Sequence, residues 1–336
     1  MNLVTGGTGL VGSHLIYKLL ISGEAVKVFI RKSSNKTEIK KTISFYSDQY
    51  EELFKKIEWA EGDVLDYHSI YEACENVQQV YHTAACISFH PADKYKIFQN
   101  NIFGTANVVN ACIEKKVKKL CHVSSVAALG NAEDRGMGTE ETPWKPKEKH
   151  SNYSISKFHS EMEVWRGIAE GLDAIIVNPS VIIGPGNWKK GSPSFFNVIN
   201  KGMRFYTNGI TGFVDVKDVV DILVQLTKSE TVNQRFIISS ENISYKDFFI
   251  YIADSLQKPH PGIEAKPYMT SIACKFESIK HLIFRIPPLI TKESLSAAYH
   301  IDYYSNKKIR DLLHYNFIPV KKSIEDTAII FKNRKI

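Results

Sequence analysis

The chain has 336 residues and a formal net charge of +7, from 43 lysines and arginines against 36 aspartates and glutamates. Its hydrophobic content of 43% and charged content of 24% are ordinary for a folded globular protein and exclude disordered, collagenous and coiled-coil chains. The basic residues are scattered through the sequence, so we expect a solvated surface and no nucleic-acid partner. The length predicts one large α/β core with a smaller appended lobe.

Cysteines, the N-terminus and apolar stretches set further limits. The cysteine count is odd, with no C-x-x-C pair and no histidine at metal-ligand spacing, so we expect buried thiols and no metal site. The chain opens without the basic and apolar segments of a secretory signal peptide, which predicts a cytoplasmic protein. The longest apolar stretches, such as Leu282 to Ile290, are shorter than the roughly 18 residues that a membrane-spanning helix needs. No membrane partner is therefore expected.

Short apolar runs alternate with longer segments of helical periodicity through the first half of the chain. Between Leu10 and Ile21, apolar residues at Val11, Leu15 and Leu19 recur every four positions and predict a helix with one buried face. Strict alternation of strands and helices predicts an α/β fold with a doubly wound parallel sheet, of the Rossmann type. The predicted strands are Asn2 to Thr5, Ala25 to Ile30, Ile57 to Ala60, Val80 to Ala84, Leu120 to Val123 and Ala174 to Val177.

A change of rhythm after Pro179 indicates a second lobe. Glycines and prolines between residues 184 and 193 predict a loop before a further helix. The run from Phe213 to Thr227 and the strand-like segment from Arg235 to Ser239 are expected to return to the main sheet. We therefore divide the chain into a main domain, residues 1–178 plus about 212–240, and a discontinuous substrate-binding lobe, about 179–211 plus 241–336. The segment from Leu282 to Tyr299 is apolar and aromatic enough to line a pocket, although structural packing is the preferred explanation for most of its residues.

A glycine-rich turn joins the first predicted strand to the first predicted helix. Gly6 permits a tight turn, Gly9 lets the backbone approach a pyrophosphate, and Gly12 allows close contact between helix and sheet. The free N–H groups and the positive dipole end of the helix then face the anion. The pattern predicts a dinucleotide-binding site. Its contacts are Thr5, Gly6, Thr8, Gly9, Leu10, Val11 and Gly12.

The end of the second predicted strand favours NADP(H), with NAD(H) as the alternative cofactor. An NAD site usually has an acidic residue here, whose carboxylate accepts a hydrogen bond from the ribose 2′-hydroxyl. This chain has Arg31 and Lys32 instead, and a guanidinium pairs bidentately with a 2′-phosphate. A solvated basic strand end is the competing interpretation. After the third strand, Asp63 and the adjoining Val64 are candidate contacts to the adenine.

Tyr153 and Lys157 form a candidate acid–base pair. Their i, i+4 spacing at the start of a helical stretch places both side chains on one face. An ordinary phenol is a poor acid at neutral pH, but a nearby ammonium favours the phenolate. We therefore expect Lys157 to lower the pKa of Tyr153. A Y-x-x-x-K pair is often a surface coincidence, and the upstream glycine turn is what gives it weight.

Taken together, these motifs resemble the extended short-chain dehydrogenase/reductase family, of the NAD-dependent epimerase/dehydratase type, over nearly the whole chain. Within that family the chain is most similar to dihydroflavonol reductase-like members and cinnamoyl-CoA reductases. Besides the glycine turn and the Tyr153–Lys157 pair, the matching segments are the Asp63 turn, His82-Thr83-Ala84-Ala85, Asn101-Ile102-Phe103-Gly104-Thr105, Ser124-Ser125, Asn178-Pro179-Ser180-Val181 and Phe213-Val214-Asp215-Val216-Lys217-Asp218-Val219.

The resemblance implies a role for each matching residue. Tyr153 is the acid/base, and Lys157 lowers its pKa and holds the nicotinamide ribose. Ser125, counted back from Gly130, bonds the substrate oxygen, whereas Ser124 is the alternative serine. Relatives are often dimers, so a homodimer is implied by analogy. The remaining implied cofactor contacts are Thr83, Ala84, Ala85, Asn101, Val123, Pro179 and Val181.

The implied activity is hydride transfer from NADPH to a ketone or aldehyde of a small organic substrate. A nucleotide-sugar epimerase or dehydratase with tightly bound NAD is the first alternative, although the lobe shows no clear arginine pair for a diphosphate. A non-catalytic NADP-binding regulator is the second alternative, and the intact Tyr153 and Lys157 argue against it.

Overall fold

A parallel sheet of seven strands forms the centre of the protein. The computed structural model describes residues 1–88, 90–132, 136–266, 269 and 298–333. The strands of this sheet are β1 Asn2–Thr5, β2 Val26–Ile30, β3 Glu58–Glu61, β4 Gln79–His82, β5 Lys119–Val123, β7 Ala174–Pro179 and β11 Gln234–Ile238. Their order is β11-β7-β5-β4-β1-β2-β3 and every pairing is parallel, which confirms the predicted doubly wound fold.

Helices cover both faces of this sheet. They are α1 Leu10–Ile21, α2 Thr37–Ser44, α3 Tyr50–Lys55, α4 Tyr67–Ala73, α5 Lys94–Phe98, a π-helical turn Gln99–Phe103, α6 Gly104–Glu114, α7 Asn152–Ala169 and α9 Val216–Lys228. Neighbouring residues of one strand point to opposite faces, as Leu3 and Val4 do, and each face builds its own buried cluster. Helices α1, α2 and α9 pack on the face of Val4, and α4, α6 and α7 pack on that of Leu3.

A second, smaller lobe packs beside the carboxyl end of β7. Its strands are β8 Val181–Ile183, β10 Ile210–Asp215 and β12 Glu241–Ser244, and two short pairs join β9 Phe205–Tyr206 to β13 Ile263–Glu264 and β6 Met137–Gly138 to β14 Tyr303–Tyr304. The helices are α8 Ser194–Asn200, α10 Tyr245–Leu256 and α12 Val320–Asn333, whereas α11 Lys307–Leu313 packs on β11 of the main sheet. A three-stranded sheet of order β12-β10-β8 and an aromatic-rich cluster around Phe213 and Phe248 form the centre of the lobe.

The predicted return of the chain to the main sheet needs one correction. Helix α9 and strand β11 do return, since α9 packs on α1 and β11 pairs with β7. Phe213, however, lies in β10, which pairs with β8 and β12 in the lobe sheet. A short apolar run has the same pattern in either sheet, so the sequence did not distinguish them.

Two sequence predictions fall partly outside the described residues. The structure does not describe residues 282–297 of the candidate pocket lining, and it does not describe Cys274. The thiols of the other four cysteines are free, and all except Cys86 are buried. Within the described ranges, no helix has the length and apolar character needed to cross a membrane.

Candidate active site

The glycine turn between β1 and α1 is closed so tightly that side chains are excluded. Gly6 has a φ of +71°, and a Cβ there would lie 2.5 Å from the backbone nitrogen of Ala84. A Cβ on Gly12 would lie 2.4 Å from the carbonyl oxygen of Gly6. Gly9, the N-cap of α1, places no side-chain oxygen over the helix N-terminus, and the first turn contains no acidic residue. The turn therefore fits the pyrophosphate of a dinucleotide.

A buried histidine, His82, stabilises this turn through its contacts. His82 contacts the Thr5 hydroxyl through Nδ1 at 2.7 Å and the Thr105 hydroxyl through Nε2 at 3.0 Å. The hydroxyl of Thr83 donates to the carbonyl of Thr5 at 2.6 Å. Burial lowers the pKa of His82 to about 3, so the ring is neutral and can both accept and donate. The side chain of Thr5 is fully buried, and its role is to hold the turn in place.

A cleft of about 1700 Å³ runs from the glycine turn into the smaller lobe. It brings together most of the residues that the sequence predicted for the site. These are Thr8, Gly9, Leu10, Val11, Gly12, Thr83, Ala85, Val123, Ser125, Tyr153, Lys157, Pro179 and Val181. The sequence did not predict Asn35 or Glu38, which also line the cleft and follow the end of β2.

Several predicted cofactor contacts lie outside the lining of this cleft. Arg31 and Lys32 are exposed at the carboxyl end of β2, beside β1. The carboxylate of Asp63 accepts from the backbone nitrogen of Leu65 at 3.0 Å, and Val64 is buried in the core of the main domain. The remaining predicted contacts outside the lining are Thr5, Gly6, Ala84 and Asn101.

Asn101 is placed by the π-helical turn and joins two parts of the site. Its side chain accepts from the backbone nitrogen of Cys86 at 2.7 Å and donates to the Cys86 carbonyl at 3.0 Å. The same amide donates to the Ser156 hydroxyl at 2.9 Å. Asn101 is buried and therefore orders the loop after β4 against α7.

Ser125, Tyr153 and Lys157 converge at the centre of the cleft. Ser151 caps α7 by accepting from the backbone nitrogen of Ser154, which places Tyr153 and Lys157 in the first two turns of the helix. Ser125 follows the carboxyl end of β5, and its hydroxyl hydrogen-bonds to Tyr153. The Lys157 ammonium donates to the Val123 carbonyl at 2.9 Å.

The protonation of Tyr153 differs from the sequence-based expectation. We expected Lys157 to hold the pKa of the phenol below its ordinary value. Burial instead raises the pKa of Tyr153 to about 12, against the opposing hydrogen bond of Ser125. Burial also lowers the pKa of Lys157 to about 8. Tyr153 is therefore a protonated acid at neutral pH, with the cationic Lys157 one turn further along α7.

Among the residues that the structure describes, no group of three or more metal-ligating side chains could hold a metal ion. The cleft itself presents a phenol, a hydroxyl and an ammonium, from Tyr153, Ser125 and Lys157, beside the glycine turn.

Comparison with known proteins identifies relatives along the whole chain. The model of the NAD dependent epimerase/dehydratase family matches residues 2–238. Sterol demethylase protein B of Methylococcus capsulatus is 28% identical over 285 residues, which cover 84% of this chain and 83% of that protein. A protein of Synechocystis sp. assigned as a dihydroflavonol 4-reductase is 30% identical over 342 residues, which cover 98% of this chain and 94% of that protein.

Solved structures share the fold. The crystal structure of gox2253 is similar with a TM-score of 0.81 at 28% identity, covering 99% of this chain and 98% of that one. UDP-glucose 4-epimerase of Thermus thermophilus, solved in complex with NAD, is similar with a TM-score of 0.75 at 20% identity, covering 99% of each chain. The chain therefore belongs to the NAD dependent epimerase/dehydratase family, the extended short-chain dehydrogenase/reductases, which are NAD(P)-dependent oxidoreductases.

Proposed function

We propose that this protein is an NADPH-dependent reductase that converts a ketone or aldehyde of an apolar or aromatic small molecule into the alcohol. The observation that carries the proposal is that Ser125, Tyr153 and Lys157 line the same cleft as the glycine turn and a group of aromatic side chains from the lobe. A relative assigned as a dihydroflavonol 4-reductase over nearly the whole chain supports it.

Each of the three central side chains has one task in such a reduction. A bound dihydronicotinamide supplies the hydride that goes to the carbonyl carbon. Tyr153 gives its phenolic proton to the carbonyl oxygen, and the Ser125 hydroxyl donates a hydrogen bond to that oxygen as negative charge develops there. The Lys157 cation stabilises the phenolate that Tyr153 becomes.

The lobe side of the cleft favours an apolar substrate over a nucleotide sugar. Aromatic and apolar side chains form much of this wall, namely Phe195, Met203, Phe205, Tyr206, Tyr245 and Phe249. Within the described part of the chain, the cationic lining residues are Lys149, Lys157 and Lys190, and no arginine lines the cleft. A diphosphate is best bound by the paired donors of arginine, so this wall suits an uncharged substrate better.

The preference for NADPH rests on Arg31 and Lys32. Both are exposed at the end of β2, and β2 lies directly beside the strand that leads into the glycine turn. The residues that follow β2 directly, 31–34, include no aspartate or glutamate. Glu38, at the start of α2, is the acidic side chain that lines the cleft nearby and the feature that would favour NADH.

The experiment that tests the proposal compares the two cofactors. We expect the purified protein to release little nucleotide on denaturation and to reduce aromatic ketones or aldehydes with NADPH far better than with NADH. The double variant Arg31→Ala, Lys32→Ala should raise the KM for NADPH by about 10-fold to 100-fold, because charge-assisted hydrogen bonds contribute about 1.5–3 kcal/mol. The KM for NADH should stay unchanged.

Lys55→Ala is the matched control, since Lys55 is an exposed cation on α3. It should leave both KM values unchanged. Stoichiometric release of NAD from the protein would instead support an epimerase or dehydratase. NADPH binding without turnover of any carbonyl compound would support the non-catalytic regulator.

A further inference from the structure

One buried carboxylate lies directly behind the catalytic lysine. Glu161 follows Lys157 by four residues on α7, so Tyr153, Lys157 and Glu161 occupy successive turns of one helix face. The Glu161 side chain has no exposed surface at all. A fully buried carboxylate is costly unless it is paired and hydrogen-bonded, so its partners indicate what it is for.

The partners of Glu161 reach both the catalytic serine and a half-buried cation. Asn178 on β7 donates to the Glu161 carboxylate at 2.5 Å and to the backbone carbonyl of Ser125 at 2.9 Å. Arg235 on β11 pairs with the other carboxylate oxygen at 3.4 Å. The Arg235 guanidinium is held in turn by the carbonyl of Glu140 at 2.7 Å.

Glu161 is the main charged group that stabilises the cationic form of Lys157. Burial lowers the pKa of Lys157, and the negative charge of Glu161 opposes that change. His82 on β4 and His122 on β5 also face Lys157, but burial holds the pKa of both rings far below neutral, so they carry no charge. Tyr153, one turn before Lys157 on the same helix, is protonated at neutral pH and therefore also carries no charge.

Neighbouring groups in turn stabilise the negative charge of Glu161. Burial raises the pKa of this carboxyl, whereas Ser124, the Arg235 cation, Asn178 and Lys157 oppose the rise. Arg235 comes from β11, at the far edge of the central sheet, and its pairing with Glu161 joins that edge to the catalytic helix.

We propose that Glu161 is a positioning residue that keeps Lys157 cationic through its buried charge and fixes the backbone of Ser125 through Asn178. It does not touch the reacting atoms, and its effect passes through these two neighbours. Only the rate measurements that test this inference depend on the proposed reductase activity.

The first test replaces the charge and keeps the shape. The pKa of Lys157, about 8, predicts an alkaline limb near that pH in the kcat/KM profile of the parent protein. In Glu161→Gln this limb should move down by about one pH unit or more. In Glu161→Asp, which keeps the charge, the limb should lie close to its position in the parent protein. Glu163→Gln is the matched control, because Glu163 lies on the same helix and pairs with Arg166 at 2.9 Å on the surface. It should leave the limb where it is.

The second variant separates the two parts of the role. Asn178→Ala removes the link to Ser125 and leaves Arg235 paired with Glu161, so kcat should fall about tenfold or more while the alkaline limb moves less than in Glu161→Gln. A fall in kcat together with a limb shifted as far as in Glu161→Gln would contradict this division.

A direct titration keeps the test independent of activity. In protein labelled with ¹³C-lysine, the Cε resonance that disappears in Lys157→Met reports the pKa of Lys157. We expect this pKa to be lower in Glu161→Gln by the same amount as the kinetic limb, in protein whose circular dichroism shows it to be folded. An unchanged Lys157 pKa in folded Glu161→Gln would overturn the proposal. Absence of turnover in the parent protein would overturn the proposed function and leave this measurement intact.

Discussion

Burial governs the acid–base chemistry of Tyr153 and Lys157. It raises the pKa of the phenol to about 12 and lowers that of the ammonium to about 8, because each charged form is poorly solvated inside the protein. Both groups therefore hold their protons at neutral pH. This is the state that the proposed reduction requires, in which Tyr153 would donate the proton and Lys157 would stabilise the phenolate.

Removing the phenolic hydroxyl tests this assignment. Tyr153→Phe should lower kcat for carbonyl reduction by about 10²-fold to 10⁴-fold, because the proton donor is lost, while the dissociation constant of NADPH changes little. Single-turnover rates and fluorescence titration with NADPH measure the two quantities. Tyr71→Phe, in α4 and outside the cleft, is the control and should behave like the parent protein. Undiminished turnover in Tyr153→Phe would contradict the mechanism.

At the scale of single elements, the β1–α1 turn is the part that is most sensitive to one added atom. The backbone of Gly6 and the start of α1 approach so closely that a methyl group cannot fit between them. The uncapped N-terminus of the helix remains open for a pyrophosphate. Anion binding at this turn therefore depends on the close packing as much as on the helix dipole.

Gly12→Ala tests this packing. Its Cβ would lie 2.4 Å from the carbonyl oxygen of Gly6 and 2.7 Å from the Thr83 hydroxyl, so the turn must shift. We expect the dissociation constant of NADPH to rise about tenfold or more and the free energy of unfolding to fall by about 1–3 kcal/mol. Gly262→Ala, where a Cβ would meet nothing within 4 Å, should change the free energy of unfolding by less than about 0.5 kcal/mol. Equal effects of the two variants would refute the argument.

At the scale of the whole molecule, the C-terminal segment fastens the lobe to the main domain. The carboxylate of Asp218 on α9 accepts from the backbone nitrogen of Ile318 at 2.9 Å and from the Tyr315 hydroxyl at 3.0 Å. Nearby, the Ser323 hydroxyl of α12 donates to Asp215 at 2.6 Å. These buried acceptors sit where α9, the lobe sheet and the C-terminal helix meet, so they couple the stability of the two parts.

Asp218 makes this junction pH-dependent. Burial raises the pKa of its carboxyl from 3.8 to about 7. A raised folded-state pKa contributes stability that is fully present below pH 3.8 and is lost as the pH rises through 7. Relative to the parent protein, Asp218→Asn should therefore gain on the order of 2–4 kcal/mol of unfolding free energy between about pH 4 and pH 8. Urea denaturation at several pH values measures this.

Asp311→Asn is the control for that measurement. Asp311 pairs with Lys307 at 2.8 Å on the surface and is well exposed. Its variant should track the parent protein across the same pH range. A constant difference between Asp218→Asn and the parent protein across this range would show that the carboxyl is not titrating in this window.

Local patterns in the sequence determined much of the fold and the positions of the central residues. The helix from Leu10 to Ile21 has the predicted bounds, because its periodicity and the glycine turn before it are both local. The spacing of Tyr153 and Lys157 likewise placed both side chains on one face of a helix that lines the cleft. The strict alternation of strands and helices predicted parallel strands, because the crossover between two parallel strands is usually a helix.

Only the tertiary structure decided how these residues behave. The pKa of Tyr153 depends on the burial that the whole fold creates, and no local pattern reports that burial. The partners of Glu161 come from β7 and β11, as many as 74 residues further along the chain, so their pairing exists only once the sheet has formed. The same is true of strand β10, whose apolar pattern suits either sheet until its neighbours β8 and β12 are in place. Residue spacing determines which side chains can meet within one helix or strand, whereas burial and pairing between elements are properties of the assembled chain.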